Sequence, residues 1–117
     1  DGGHNPAGGE ALAATLAAMP ARPTHLICGM LNTKDIAGYL RPLAREAASL
    51  TAIDIPGEPN TLPARATAEA ARGVGLPATE AADAAQAVAA ITARDPGARI
   101  LICGSLYLAG RVLRENG

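Results

Sequence analysis

The first six residues, DGGHNP, combine reactive side chain types with a backbone that could approach a ligand closely. Asp1, His4 and Asn5 supply a carboxylate, an imidazole and an amide around two glycines. Glycine lets a backbone come near a bound molecule, and the helix predicted from Pro6 onward would direct free N–H groups and its positive dipole end at this turn. The motif therefore predicts an anion site with His4 as a donor. A capped turn with an exposed histidine is the alternative.

Ser105 is a second candidate for anion binding, because it follows Gly104 at the end of an apolar run and begins a predicted helix. Its hydroxyl group and the first N–H groups of that helix would form a small anion site. An ordinary serine N-cap is the alternative. The runs LICGM and LICGS are near copies, and each predicts a buried strand that ends in glycine. Since ligands bind at the carboxyl edge of open parallel sheets, we expect both turns to lie there.

Lys34, in the segment GMLNTKD, lies at the start of a predicted helix that follows the first strand. The segment has only a superficial likeness to a phosphate loop, because it lacks the second glycine and the spacing of GxxxxGK[ST]. The sequence also contains no GxGxxG motif. These observations exclude a nucleoside-triphosphate loop in this chain and disfavour dinucleotide binding.

The sequence gives no sign of nucleophilic catalysis. Cys28 and Cys103 lie in apolar runs without an adjacent base, and GSLYL is not the GxSxG elbow. We expect two reduced thiols buried in core strands, with a disulfide or a metal pair as the less favoured alternative. His25, near the start of a strand, is predicted to be structural or at the surface. Asp54, at the end of another strand, could reach the ligand edge but has no assigned role.

The elements that must position these residues alternate between helices and short apolar strands, which predicts an α/β fold with a mostly parallel, Rossmann-like sheet flanked by helices. Asn5 and Thr33 are predicted to cap the first and second helices. Met19 is placed on the apolar face of the first helix, and Pro42 should kink or split the second. The predicted order is a helix from Pro6, the strand THLICGM, a helix with Ile36, Leu40, Leu43 and Ala47 on one face, the strand LTAIDI, the helix ATAEAARGVG that ends at Gly73 or Gly75, a short strand near residues 77–79, the helix EAADAAQAVAAITAR with Ala84, Val88 and Ile91 buried, the strand RILICG and the helix SLYLAGRVLREN.

The composition limits the number of domains and the class of partner. A chain of 117 residues fits one domain with a substantial core. The net charge is −1 and the ten Lys and Arg residues are scattered, which argues against a nucleic-acid surface or an anionic-membrane surface. No apolar run reaches the roughly 20 residues that a membrane span needs. The start in a polar motif, without a signal peptide, predicts a domain excised from a larger protein of the reducing cytoplasm.

Four motifs follow one another along almost the whole chain: DGGHNP, GMLNTKD, Arg65-Ala66 and GSLYLAG. In this order and spacing they resemble the C-terminal domain of the folylpolyglutamate synthase and dihydrofolate synthase family, within the Mur ligase superfamily. DGGHNP and GSLYLAG are the specific motifs. The chain departs from the family pattern at Gly3, where Ala is usual, and at Thr33, where Asp is usual. The strand that normally leads into the first motif is predicted to be truncated.

The resemblance implies an ATP-dependent ligase that joins L-glutamate to dihydropteroate or folylpolyglutamate through an acyl phosphate. It implies that His4 and Ser105 hold the incoming glutamate and that Asp1 faces the nucleotide. ATP and Mg²⁺ would be bound mainly by an N-terminal ATPase domain of the same polypeptide, so this chain alone is predicted to be inactive. Glutamate and the folate or pteroate are the other partners implied, for a monomer without nucleic acid or membrane. Further candidate site residues are Asn5, Lys34 and Tyr107.

Two other functions stay open on the residues alone. One is the equivalent domain of a cell-wall peptide ligase, which DGGHNP disfavours because those enzymes carry a different loop at this place. The other is a stand-alone α/β module that binds a small phosphorylated ligand. The scarcity of aromatic residues, with Tyr39 and Tyr107 alone, agrees with adenine and pterin being bound largely by another domain. The role of Arg65 and the choice between synthesis of dihydrofolate and extension of polyglutamates are not determined by these motifs.

Overall fold

The computed structural model describes residues 6–32 and 35–104 of the chain. Within these residues four helices alternate with four strands, as the sequence predicts. The elements are α1 (Pro6–Ala18), β1 (Thr24–Gly29), α2 (Ile36–Leu43), β2 (Ser49–Ala52), α3 (Ala64–Gly73), β3 (Ala78–Glu80), α4 (Ala84–Arg94) and β4 (Arg99–Gly104).

The four strands form one parallel sheet in the order β3–β2–β1–β4. In the register, Leu26 of β1 pairs with Leu50 on one side and Leu101 on the other. The chain moves in one direction from β1 to β3 and then crosses back to β4 at the opposite edge. Because crossovers between parallel strands share one hand, α2 and α3 lie on one face of the sheet and α4 lies on the other. The predicted α/β architecture is confirmed.

The alternation of side chains along the strands creates two cores. Leu26, Cys28 and Leu50 point to the face covered by α1, α2 and α3. Ile27 and Ile53 point to the face covered by α4. All six residues of β1 are buried, as the continuous apolar sequence of this central strand predicts.

The start of α2 differs from the prediction. Asp35 is its N-cap, and the Asp35 carboxylate accepts a hydrogen bond from the Gly38 N–H at 2.9 Å. The predicted Thr33 cap is therefore wrong, because the helix begins at Ile36 and the capping position falls two residues later in the chain. Pro42 does not split the helix: α2 includes it and ends at the next residue, Leu43, so the predicted continuation of this helix to Ala47 is wrong.

The remaining helix ends follow the sequence closely, with one exception. Met19 lies beyond the end of α1 and is 40% exposed, so its predicted place on the apolar face is wrong. α3 ends at Gly73, the first of the two glycines predicted to end it, and β3 separates the two Ala-rich helices as predicted. In α4, Ala84 and Ile91 are buried as expected, whereas Val88 is only partly buried. The predicted Asn5 cap and the predicted last helix, which starts at Ser105, fall outside the described residues.

Candidate functional site

At the carboxyl edge of the sheet, the neighbouring strands β1 and β4 end at paired residues, Gly29 and Gly104. Gly104 has a φ of 75°, in the left-handed region that favours glycine. A Cβ atom at this position would lie 2.6 Å from the Met30 sulfur and 2.8 Å from the Gly29 carbonyl oxygen. Glycine at the end of β4 therefore has a physical reason. Both the backbone conformation and the neighbouring atoms exclude a side chain at this position.

The buried Tyr39 side chain holds the end of β4 in place. The Gly104 N–H donates a hydrogen bond to the Tyr39 hydroxyl oxygen at 2.9 Å, and Tyr39 is only 1% exposed. Burial, reinforced by the Cys103 and Cys28 side chains, raises the pKa of Tyr39 well above its usual value, whereas the Gly104 N–H lowers it. The hydroxyl group therefore keeps its proton while its oxygen accepts the backbone N–H.

The two cysteines lie opposite each other on β1 and β4, beneath this tyrosine. Cys28 pairs with Cys103 in the register, and both are buried free thiols, as the sequence predicts. A hydrogen bond with Cys103, together with burial, raises the pKa of Cys28. Because the thiolate is the reactive form, Cys28 is a poor nucleophile in this environment. The pair belongs to the core, in agreement with the absence of a nucleophile motif.

The segment after β1 is fixed by the long connection between β2 and α3. The Leu62 N–H donates to the Met30 carbonyl oxygen at 2.7 Å, and the Asn32 N–H donates to the Asn60 carbonyl oxygen at 2.8 Å. Leu31 and Thr61 form an antiparallel bridge between these two bonds. These hydrogen bonds fix the backbone as far as Asn32, the residue before Thr33.

Asp54 has a structural contact at this same edge. Its Oδ1 atom accepts a hydrogen bond from the Ala64 N–H at 2.8 Å, at the first residue of α3. A carboxylate at this place satisfies a helix N–H group and complements the helix dipole. Asp54 is therefore a cap for α3, while Arg65, the next residue of that helix, is exposed.

The first turns of α1 and α2 lie side by side and line one open groove. Pro6 and Glu10 of α1 line this groove together with Asp35, Gly38 and Arg41 at the start of α2. The two helices pack closely at this place, since a Cβ atom on Gly9 would collide with the backbone of Tyr39. The beginnings of both helices are therefore held next to each other.

The predicted site residues themselves lie outside the described residues, but their described neighbours all lie at or beside α2. Pro6, the last residue of the first motif, borders the groove that α2 also lines. Asp35 follows Lys34 and caps α2, and the Gly104 N–H, just before Ser105, donates to the hydroxyl oxygen of Tyr39 in α2. The involvement of Tyr39 has no local sequence signal. The predicted residues outside the described ranges are Asp1, His4, Asn5, Lys34, Ser105 and Tyr107.

His25 lies at the opposite, amino edge of the sheet in a Ser–His–Asp arrangement. Its Nδ1 atom is 2.6 Å from the Ser49 hydroxyl oxygen, and its Nε2 atom is 3.0 Å from an oxygen of Asp95. These residue types also form acyl-transfer triads. Here, however, the ring is buried and both nitrogens are engaged between the starts of β1 and β2 and the end of α4. The structural role predicted for His25 is confirmed.

The described part of the chain offers no metal centre and no span of the bilayer. Among these residues no group of three or more His, Cys, Asp or Glu side chains could hold a metal ion. None of the helices in the described ranges has the length and apolar character needed to cross a membrane.

Comparison with known proteins identifies relatives over nearly the whole chain. Residues 1–106 match the family model described as Mur ligase, glutamate ligase domain. A folylpolyglutamate synthase of Lacticaseibacillus casei is 34% identical over 113 residues, which are 96% of this chain and 25% of that protein. The chain thus spans about a quarter of the length of this relative.

Solved structures show the same architecture. A folylpolyglutamate synthase of Mycobacterium tuberculosis complexed with ADP and AMPPCP superposes with a TM-score of 0.77 and 33% identity, covering 97% of this chain and 28% of that one. A second structure from the same organism, complexed with ADP, gives a TM-score of 0.81 and 28% identity over the same shares. The resemblance predicted from the motifs is confirmed, and the chain belongs to the glutamate ligase domain family of the Mur ligases.

Proposed function

We propose that this chain is the C-terminal, glutamate-binding domain of an ATP-dependent ligase that adds L-glutamate to dihydropteroate or folylpolyglutamate. The observation that carries the proposal is the family match over residues 1–106, together with a folylpolyglutamate synthase that is 34% identical over 96% of the chain. The relatives that are complexed with ADP or AMPPCP support a nucleotide as one of the ligands of the complete enzyme.

The reaction proceeds in two balanced steps. The substrate carboxylate attacks the γ-phosphorus of ATP, which releases ADP and leaves an acyl phosphate. The amine of glutamate then attacks the acyl carbon, loses a proton and expels inorganic phosphate as the amide forms. Such a reaction depends on holding the amine near the acyl carbon and on stabilising negative charge. It needs no protein nucleophile, which agrees with the buried, protonated state of Cys28.

In this proposal, three turns at the carboxyl edge supply the contacts. His4 and Ser105 hold the incoming glutamate, and Asp1 faces the nucleotide, with Asn5, Lys34 and Tyr107 as further candidates. The support from the described residues is indirect: Pro6 lines a groove together with α2, Asp35 caps α2, and Gly104 binds Tyr39 of α2. A helix N-terminus beside such a turn favours an anion, as the carboxylates of glutamate require.

The described residues do not fit a role as the main holder of Mg²⁺. They contain no group of three potential metal ligands, and the chain has no phosphate loop. We therefore assign the binding of ATP and Mg²⁺ mainly to an N-terminal domain of the same polypeptide. The two free thiols agree with a reducing cytoplasm, and we propose that the complete enzyme works there as a monomer.

The test is an assay of the complete polypeptide that carries this domain. With ATP, Mg²⁺ and dihydropteroate or folylpolyglutamate, we expect ADP release that depends on glutamate and a product heavier by one glutamyl residue in mass spectrometry. Aspartate in place of glutamate serves as the control, and this chain alone should release no ADP. ADP release with a nucleotide-sugar peptide, and none with either folate substrate, would instead identify a cell-wall ligase and refute the proposal.

A further inference from the structure

Tyr39 is the residue of α2 at which two other elements meet. Its hydroxyl oxygen accepts the N–H of Gly104, the last residue of β4. Its backbone lies so close to Gly9 of α1 that a methyl group there would collide with the Tyr39 carbonyl group. Its own N–H donates at 3.2 Å to the carbonyl oxygen of Asp35, the cap of α2. One residue thus contacts α1, the start of α2 and the end of β4.

These three places precede or follow the three motifs of the proposed site. α1 begins at Pro6, the last residue of DGGHNP, Asp35 follows Lys34, and Gly104 precedes Ser105. We propose that Tyr39 is a positioning residue for glutamate binding, which acts by holding Gly104, the last residue of β4, in place against α1 and α2. The inference rests on the proposed function and adds to it a residue that itself contacts no substrate.

The hydroxyl group of Tyr39, rather than its ring, is the part that performs this role. Gly104 is buried, so its N–H would lose its partner if the hydroxyl were removed. A buried donor without an acceptor is unfavourable, and the turn would shift to find another acceptor or water. Loss of the hydroxyl should therefore loosen the end of β4 at Gly104.

The protonation state of Tyr39 keeps this hydrogen bond constant. Burial and the two neighbouring thiols raise the pKa of Tyr39, so the hydroxyl group stays neutral throughout the physiological range. The Gly104 N–H thus has the same neutral acceptor over this whole pH range.

The experiment compares Tyr39→Phe with a matched core variant in the complete polypeptide. Tyr39→Phe keeps the ring and removes only the oxygen, whereas Ile91→Val removes one buried methyl group from the core on the opposite face of the sheet. We expect Tyr39→Phe to raise the KM for glutamate about tenfold, which corresponds to about 1.4 kcal/mol, with the KM for ATP changed less than twofold. Ile91→Val should leave both constants unchanged.

A second measurement reports the contact itself. Amide hydrogen exchange of the segment that contains Gly104 should be faster in Tyr39→Phe than in the parent and unchanged in Ile91→Val. An unchanged glutamate KM in Tyr39→Phe, or an equal rise in both variants, would overturn the positioning role. A parent polypeptide without glutamate-dependent ADP release would refute the proposed function. An active parent with an unchanged glutamate KM in Tyr39→Phe would refute only the positioning role of Tyr39.

Discussion

Replacement of Gly9 by alanine should destabilise the domain even though alanine is the better helix former. Gly9 lies inside α1, where the change from glycine to alanine is worth up to about 1 kcal/mol in helix propensity. The new Cβ atom, however, would overlap the Tyr39 carbonyl oxygen and lie 2.9 Å from its carbonyl carbon and 3.1 Å from its Cα atom. Ordinary contacts between carbon atoms are about 3.5–4.0 Å. The obstacle is backbone, which has no rotamer to change.

The magnitude follows from these two opposing terms. Relief of the overlap requires α1 and α2 to separate by roughly 1 Å, which loosens the packing of Ala13 and Leu16 against the shared core. Overpacking costs about 1–3 kcal/mol, and a collision with backbone, which has no rotamer to change, places this site toward the upper end, at about 2–3 kcal/mol. After subtraction of a propensity gain of about 1 kcal/mol, we expect a net loss of about 1–2 kcal/mol, or several degrees in Tm.

The assay is urea unfolding of this chain followed by far-UV circular dichroism. Gly73→Ala is the matched control, because Gly73 is the last residue of α3 and no atom lies within 4 Å of a Cβ built there. This variant should be neutral or more stable by up to about 1 kcal/mol. A Gly9→Ala domain as stable as the parent would show that α1 and α2 do not pack as closely as the structure indicates.

Three further variants test the framework around the site. Asp83→Ala should lower the free energy of unfolding by about 1 kcal/mol, because it removes the 2.8 Å cap of the Gln86 N–H, and Asp83→Asn should retain most of it; equal stability of all three proteins would contradict this. Thr67→Val should stabilise the domain in the same urea assay, because the buried Thr67 hydroxyl has no hydrogen-bond partner among the described residues; a loss of stability would reveal a missed partner. The raised pKa of Cys28 means that the folded state retains a proton which the unfolded chain loses above about pH 8.5. Stability should therefore fall as the pH rises through and beyond that value, by up to about 1.4 kcal/mol per pH unit, and fall less steeply in Cys28→Ala; equal slopes in the two proteins would refute the assignment.

The order of elements could be predicted from the sequence because each strand is a short apolar run and each helix has its own periodicity. The continuous burial of THLICG in β1 is a direct reflection of its sequence. The prediction failed where two residues of similar chemistry compete within one loop. Thr33 and Asp35 can both cap a helix, and only the position of the Gly38 N–H decides in favour of Asp35. Met19 is apolar, but α1 ends before it, so it stays exposed.

The supports of the candidate site could not be predicted because they join distant parts of the chain. The bond between Tyr39 and Gly104 connects residues that are 65 positions apart, and that between Asp54 and Ala64 spans 10 positions. Neither has a local sequence signal, since a tyrosine inside an amphipathic helix is typical of any core. Gly104, the glycine of LICGS, was the clue that the backbone there takes a left-handed conformation.

The central claim, that the carboxyl edge of this domain binds glutamate, is tested most directly by its two histidines. In the complete polypeptide, His4→Ala should raise the KM for glutamate about tenfold or more, as the loss of a charge-assisted hydrogen bond predicts, with little change in Tm. His25→Ala, at the amino edge, should lower Tm because Ser49 and Asp95 lose their partner, and should leave the KM for glutamate unchanged. A normal glutamate KM in His4→Ala, with the loss appearing only in Tm, would contradict the account.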